Sequence, residues 1–459
     1  MQYSKMDIQR MADRANFPDQ RLNRRMEKIL LDLNGKLETS IPSALGERSQ
    51  VKGCYRFLSN PSVAVSALEQ VARQESLEAV ADQDWVLALQ DTTTLDCTGK
   101  RAAPHLNCLS DAQQKGYFLH SQLLADAQGA VKGIFSQHFF NRAPESLGQS
   151  CQRRYLPFQE KESYRWLEAF EELQTAFASC NHQQVLLIAD READIHELLQ
   201  AGQHSHLHYL IRSSHNRCLQ DETRLWQALE EQSPAFCYSS EVDGVDGKRR
   251  TARLQVRYQA VQLRAGYRPK EQPALQKVEL WVIQAREISP PPAEKPLCWN
   301  LLTDLAIEQA AMAERLLRFY SYRWRIERFH YVLKQGCQVE KLQLQTPEAL
   351  QKAIQLYSWI AYKVLQTQHC LQIQPQAALQ PIGLQVQDYQ QLGQVVRATK
   401  KKNLCLVSQP KVADFAELIA RLGGSMRWKN QPLGVVCLWR GWKACLLLKQ
   451  AWAVWNTYG

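Results

Sequence analysis

A chain of 459 residues with 45% apolar content is long enough for two to four domains, at roughly 100–200 residues each, and for a sizeable core. No apolar run reaches the ~18 residues of a membrane span, the polar start MQYSKMDIQR is no signal peptide, and thirteen cysteines without a Cys-x-x-Cys pair suit reduced thiols, so a cytoplasmic location is expected. The net charge of +10 lies at the ends: residues 1–60 carry 11 Lys/Arg against 7 Asp/Glu and residues 373–459 carry 11 against 3, which suits a polyanion such as DNA or simply a soluble basic surface.

Residues 1–70 read as helical. Arg21 to Leu33 places Leu22, Met26, Ile29, Leu30 and Leu33 at helical spacing, with Arg21, Arg24, Arg25 and Lys28 on other faces. A basic and aromatic stretch with Tyr55 and Arg56 follows, and Asn60-Pro61 stops it. From about residue 84 the pattern turns to strands. Trp85–Leu89 is a short apolar run ending just before Asp91, and Tyr117–Ala125 and Val131–Phe140 flank the turn-like Asp126 to Gly129. A helix from Glu162 to Ala178, a buried strand Gln184–Ala189 ending at Asp190, a short helix Glu192–Gln200 and a strand His208–Arg212 complete an α/β layer pattern.

Residues 235–305 alternate in polarity and are expected to form a β-rich insertion closing on Leu297–Leu302. One long helix is expected from about Ile307 to Lys334, and a second from about Pro347 to Gln368. Gln372 to Gln394, with nine glutamines and two prolines, reads as a linker. Asp414 to Trp455 reads as helical, broken at Gly423-Gly424. The expected division is residues 1–70, 71–371 and 372–459.

Three acids stand out. Asp91 and Asp190 each follow an apolar strand run, where functional groups of open α/β sheets gather, although an Asp there also commonly begins a turn. In YSYRWRIERFHYVLK, the residues Tyr320, Arg323, Glu327 and Lys334 fall within about 60° on one face of the expected helix, at ~3.6 residues per turn. A carboxylate flanked by cations suits a site that holds a hard metal ion and a phosphodiester together. The alternative is an ordinary i,i+4 surface pair.

With these motifs the chain resembles the bacterial cut-and-paste transposases of the insertion-sequence-four family. QDTTTLD resembles the family's first-Asp motif and ADREADIH its second. Tyr320 followed by YRWRIERFHYVLK resembles the Tyr-Arg-Glu-Lys signature that names one branch. The resemblance runs over nearly the whole chain. It implies a ribonuclease H-like catalytic core with the β insertion, between a helical end-binding domain and a C-terminal helical dimerisation domain.

It further implies that Asp91, Asp190 and Glu327 hold two Mg²⁺ ions, with Mn²⁺ as a substitute. Tyr320, Arg323, Lys334 and Arg212 would lie against end DNA, and Trp299 would stack on a flipped base, as an alternative to a plain core role. Arg21, Arg25, Tyr55 and Arg56 match end-recognition positions. The stripe Trp439, Trp442 and Leu446 would join two protomers of a synaptic homodimer or pack within its own chain. His120 falls in a family block without an evident role. The implied activity is cleavage of double-stranded DNA at transposon ends through a hairpin, then joining of the 3′ ends to target DNA, without an organic cofactor or membrane. A DNA-binding protein without catalysis and a stand-alone nuclease of the same fold are the rival readings.

Overall fold

The structure, a computed structural model, describes residues 4–35, 40–149, 155–180, 182–243, 249–266, 274–292, 294–373, 376–379, 385–400 and 406–424, with helical positions between 437 and 452. Five helices open the chain: α1 (Lys5–Arg14), α2 (Gln20–Gly35), α3 (Ile41–Leu45), α4 (Arg48–Leu58) and α5 (Val65–Glu78). Ser4 caps α1 in a reciprocal capping box with Asp7. The apolar spacing of α2 buries Met26, Ile29, Leu30 and Leu33. α5 runs across residue 70 and lies on the sheet, so close that a Cβ at Gly133 would stand 2.4 Å from the Ser76 Cβ.

Nine strands form one mixed sheet: β1 (Trp85–Asp96), β2 (Gly116–Ala125), β3 (Val131–Phe140), β4 (Gln184–Ala189), β5 (His208–Arg212), β6 (Phe236–Asp243), β7 (Arg249–Leu263), β8 (Val278–Glu287) and β9 (Cys298–Thr303). Their order is β3-β2-β1-β4-β5-β9-β8-β7-β6. β1, β2 and β3 form an antiparallel meander, β1, β4 and β5 run parallel, and β9 joins β5 antiparallel to attach the insertion. Strand alternation sends Leu87, Leu89, Leu186 and Ile188 to one face. There they meet the helices α9 (Ala310–Ser321), α10 (Trp324–Tyr331) and α11 (Pro347–Ile373). Val86, Ala88, Leu187 and Ala189 face the other side, onto α6 (Tyr164–Ala176), α7 (His196–Gly202) and α8 (Leu225–Glu230).

Four expectations need correction. β1 does not end at Leu89: it continues through the β-branched Thr92, Thr93 and Thr94 to Asp96, paired with β2 all the way. The expected helix from Glu192 is a three-residue turn, Arg191–Ala193, before α7. Its would-be N-terminal acid Asp194 is instead buried, accepting from the Ser214 and His215 amides and pairing with Arg217. The expected helix Ile307–Lys334 is broken. At Tyr322 and Arg323 the amides bond three residues back, to Phe319 and Tyr320, and α10 passes into a π-helical turn at Val332–Gly336.

The cause of the break is tertiary. Gly129, at positive φ in the β2–β3 turn, lies so close to the Tyr322 ring that a Cβ would stand 2.6 Å from it, and Arg325 donates to the Gly129 carbonyl. Lastly, the glutamine-rich segment is not all linker. A helix α12 (Val386–Lys400) occupies its second part and buries Tyr389, Leu392 and Val396. After it, α13 (Val412–Leu422) ends at Gly423 and Gly424. None of the ten described cysteines forms a disulfide, and five are buried. Among the described residues no helix is long and apolar enough to cross a membrane.

Candidate active site

The parallel register of β1 and β4 sets two acids side by side. Leu89 pairs with Ile188, and the same offset carried two residues further brings Asp91 beside Asp190, where β4 has just ended. Asp91 follows Leu87 and Leu89 onto the face covered by α10. Its Oδ1 accepts the Thr92 amide at 2.8 Å, while Asp190 Oδ1 accepts the Glu192 amide at 2.9 Å. These bonds fix each carboxylate to its own backbone at the sheet's end.

The third acid arrives from α10. Arg323 donates to Glu327 Oε1 at 2.5 Å, and its other terminal nitrogen stands 3.8 Å from Asp91 Oδ2. One guanidinium therefore links the strand acid to the helix acid. Burial pushes the Asp91 carboxyl up to about 7; Asp190 and, less strongly, Glu327 add to the rise, while Arg323 and the Thr92 amide oppose it.

Aromatic residues close one side. Tyr320 is buried, and its ring meets Trp299 edge-on at 5.5 Å and the Arg323 guanidinium at 6.0 Å. Burial raises the pKa of the Tyr320 phenol, and the Arg323 and Arg212 charges pull it back. Arg212, on β5, donates to the Cys298 carbonyl at 2.9 Å, beside Trp299. Asp91, Asp190, Glu327, Tyr320, Arg323, Trp299 and Arg212 thus converge from β1, β4, β5, β9, α9 and α10.

Other expected residues lie elsewhere. Because of the helix break and the π turn, Lys334 does not share the stripe of Arg323 and Glu327. Its Nζ donates to the Thr94 carbonyl at 2.7 Å and lies 3.6 Å from Glu340, farther along β1. Arg21, Arg25, Tyr55 and Arg56 belong to α2 and α4, which pack together. Arg21 and Arg56 are exposed, Tyr55 is half-buried, and Arg25 lies across Gly53 and donates to Gln50 at 3.1 Å. Trp442 is buried in its own chain, edge-on to Phe415 at 6.0 Å, because α13 offers it an apolar seat. Trp439 and Leu446 lie outside the described residues.

His120 is wholly buried against Trp166 and bonds Thr92 Oγ1 through Nδ1 at 2.8 Å. Burial, then the Arg165 charge, hold it well below its usual pKa. It is a neutral brace behind the strand that carries Asp91. The sequence reading missed Arg165, which reaches Thr92 from α6, and the row Asp91, Ser121 and Gln137 across β1, β2 and β3. No motif marks them; cross-strand register is their only signal.

The three acids offer oxygen donors alone, which suits hard divalent cations such as Mg²⁺ or Mn²⁺. The upward push on Asp91 comes first from burial and next from the neighbouring Asp190 carboxylate, and a bound cation would oppose both. Among the described residues no three acids, histidines or cysteines are drawn together as a finished cage. Arg323 lies between Asp91 and Glu327, and ligation by both requires it to yield.

The mixed sheet, covered by helices on both faces, is the α/β architecture of a ribonuclease H-like core. Residues 8–63 match the family model described as "Transposase DNA-binding", and residues 167–362 match the one described as "Transposase DDE domain". The chain is a transposase with a DNA-binding and a DDE domain, of the class that cleaves and transfers DNA. The second match contains Asp190 and Glu327, and Asp91 precedes it. Among solved structures the chain is similar to a piggyBac transposase in a synaptic complex with hairpin DNA, determined by cryo-EM. The identity is 10%, the match covers 80% of this chain and 68% of that one, and the TM-score is 0.32.

Proposed function

We propose that this chain is a transposase of the insertion-sequence-four family, Tyr-Arg-Glu-Lys branch. In this reading it cuts DNA at terminal inverted repeats through a hairpin and joins the 3′ ends to target DNA. Asp91, Asp190 and Glu327 are its metal-holding acids. The reading is supported by the β1–β4 register, which, extended two residues past its last pair Leu89–Ile188, sets Asp91 level with Asp190, and by Arg323 lying between Asp91 and Glu327. Two divalent ions bound there supply activation of a water or 3′-hydroxyl and stabilisation of the leaving oxygen.

The chain's own residues do the rest. Arg323 exchanges a carboxylate for a phosphodiester oxygen, keeping a charge-assisted bond throughout. Trp299, backed edge-on by the buried Tyr320 ring, is the seat on which an extruded base stacks, at about 1–3 kcal/mol per base. Lys334 and Arg212 hold the strand on either side. Arg21, Arg25, Tyr55 and Arg56 grip the repeat on α2 and α4, giving salt-sensitive affinity. The division into an end-binding domain at 1–70, a catalytic domain at 71–371 and a dimerising C-terminal domain at 372–459 belongs to the same reading. So do a synaptic homodimer and a cytoplasmic, nucleoid-associated location.

The test is incubation of the protein with its element's own ends and Mg²⁺, read on denaturing gels. Nicks, hairpins and joined products are expected, all abolished by Asp190→Ala. Mg²⁺-dependent nicks without hairpins or joined ends would point to a stand-alone nuclease. Binding without any nick would leave a DNA-binding protein and sink the enzymatic claim.

A further inference from the structure

β1 outlasts its parallel neighbour. β4 stops at Ala189, while β1 continues along β2 to Asp96. Past Ala189, the β4-side edge of β1 has no strand beside it among the described residues. Side chains serve that edge instead: Lys334 donates to the Thr94 carbonyl, and Glu340 accepts the Asp96 amide at 2.9 Å. This edge joins the two faces of the sheet one residue from Asp91.

On the reverse face, Thr92 and Thr94 open into a cavity of about 360 Å³, within the size range of a small-ligand site. Two half-buried rings contribute to its lining. Phe118 on β2 and Phe140 on β3 are cross-strand partners stacked at 5.2 Å and 22°. A guanidinium lies over each ring at 4.8 Å, Arg142 over Phe118 and Arg165 over Phe140. Each arginine is held by a glutamate. Arg142 takes Glu162 in a two-pronged pair at 2.5 and 2.8 Å, and Arg165 takes Glu192 at 2.7 Å. Arg165 Nε also reaches Thr92 Oγ1 at 3.3 Å. The Glu192 side chain is 59% exposed, so water and ions already compete for it.

We propose that this cleft binds an unpaired DNA strand that crosses the free edge of β1 on its way to or from Asp91. The chemistry of the lining selects that ligand. Guanidinium planes laid on aromatic rings stack nucleobases without regard to sequence. The same guanidiniums present parallel donors to phosphate, so a strand's phosphates replace Glu162 and Glu192. Arg323 and Lys334 on one face and Arg165 and Arg142 on the other each supply a cation, and each is paired with a glutamate that a phosphate can replace. A duplex is too wide for a cavity of this size. The inference rests on the transposase reading and adds a route for the strand that the acids do not themselves hold.

The test uses the full chain in EDTA, so that no strand is cut. A fluorescein-labelled, mixed-sequence oligonucleotide of roughly ten nucleotides, about one binding-site length, is titrated by anisotropy. The same sequence is titrated as a duplex. Arg142→Ala combined with Arg165→Ala is expected to weaken single-strand binding ~10-fold or more, as loss of a stacking platform does, and duplex binding less than about twofold. Glu162→Gln keeps the shape and removes a competing charge, so it is expected to tighten single-strand binding about threefold.

Glu162→Gln binding no tighter than the parent, or arginine variants losing single-strand and duplex affinity in parallel, overturns the proposal. The two readings fail separately. Unchanged single-strand binding in the arginine variants, with the parent still nicking its end DNA in Mg²⁺, removes the cleft and leaves the transposase. Cleft-dependent binding by a parent that never nicks removes the catalytic reading instead.

Discussion

The two halves of the sheet are built differently. β1, β4 and β5 are parallel and largely buried on both faces, and two acids lie where β4 ends. β6 to β9 form an antiparallel meander, and β6 alternates half-buried and exposed residues along its length. A doubly covered strand end holds a carboxylate rigidly and strips its water, while a half-wet arm can present a surface to a large ligand. The charge chemistry therefore sits in the parallel half. The arm brings one aromatic side chain, Trp299, up to it through β9.

The first way to break this contrast is to remove an acid. Asp91→Ala, Asp190→Ala or Glu327→Ala should each slow nicking of end DNA by ~10³-fold or more, equivalent to ~4 kcal/mol. End-DNA affinity in a gel-shift assay should hold within a few fold. A single alanine variant that nicks normally would move the chemistry away from the parallel half.

Burial of Asp91 should also leave a trace in stability. Its folded pKa of about 7 lies above the ordinary carboxyl value, so the folded chain keeps a proton that the unfolded chain releases. This group's contribution is complete below about pH 4 and is lost as pH rises through about 7. Asp91→Asn removes that loss. In EDTA its Tm should exceed the parent's at pH 8, with a gain on the order of 1–3 kcal/mol, and match it only at about pH 4 and below. Calorimetry at the two pH values decides, and an equal gain at both would mean that the buried charge costs nothing. Added Mg²⁺ should stabilise the parent and not the variant.

The arm should act on a later step. Trp299→Ala should leave the first nick intact and reduce hairpin yield by about 5- to 150-fold, the range of one stacked base at about 1–3 kcal/mol. Time courses on denaturing gels separate the two steps. Equal loss of nicking and hairpin would make Trp299 a support for the site instead of a seat for a base.

Much of this was legible in the chain before its coordinates. The acids follow apolar runs, and hydrophobic alternation marked nearly every strand, because both signals are local. The extent of β1 was hidden because Thr92 to Thr94 are polar by composition and extended by shape. The break at Tyr322 was hidden because the apolar spacing continues through it. Its cause is the Gly129 turn, 196 residues away from Arg325. α12 was masked by glutamines between Tyr389, Leu392 and Val396. The Arg142 and Arg165 cleft left no sequence trace, since register across three strands assembles it.

The seam between the two halves gives the smallest and most discriminating effect. It is short: β5 and β9 pair over Leu210 to Arg212. Asp304 pins one end, accepting the Tyr209 amide at 2.9 Å and meeting His208 at 2.7 Å. Arg212 pins the other end through the Cys298 carbonyl, one residue from Trp299. If Arg212 works by aiming the arm, Arg212→Ala should reduce hairpin yield about threefold to tenfold, the loss of one hydrogen bond of about 1 kcal/mol. In that case it should add little to Trp299→Ala, because the side chain it aims is already gone. If Arg212 grips phosphate instead, the two losses should multiply, and the salt dependence of end binding should fall by about 0.9 in log–log slope. The double-mutant cycle and the salt titration give opposite signatures for the two roles, so one pair of variants decides whether the arm is positioned from the seam or from the DNA.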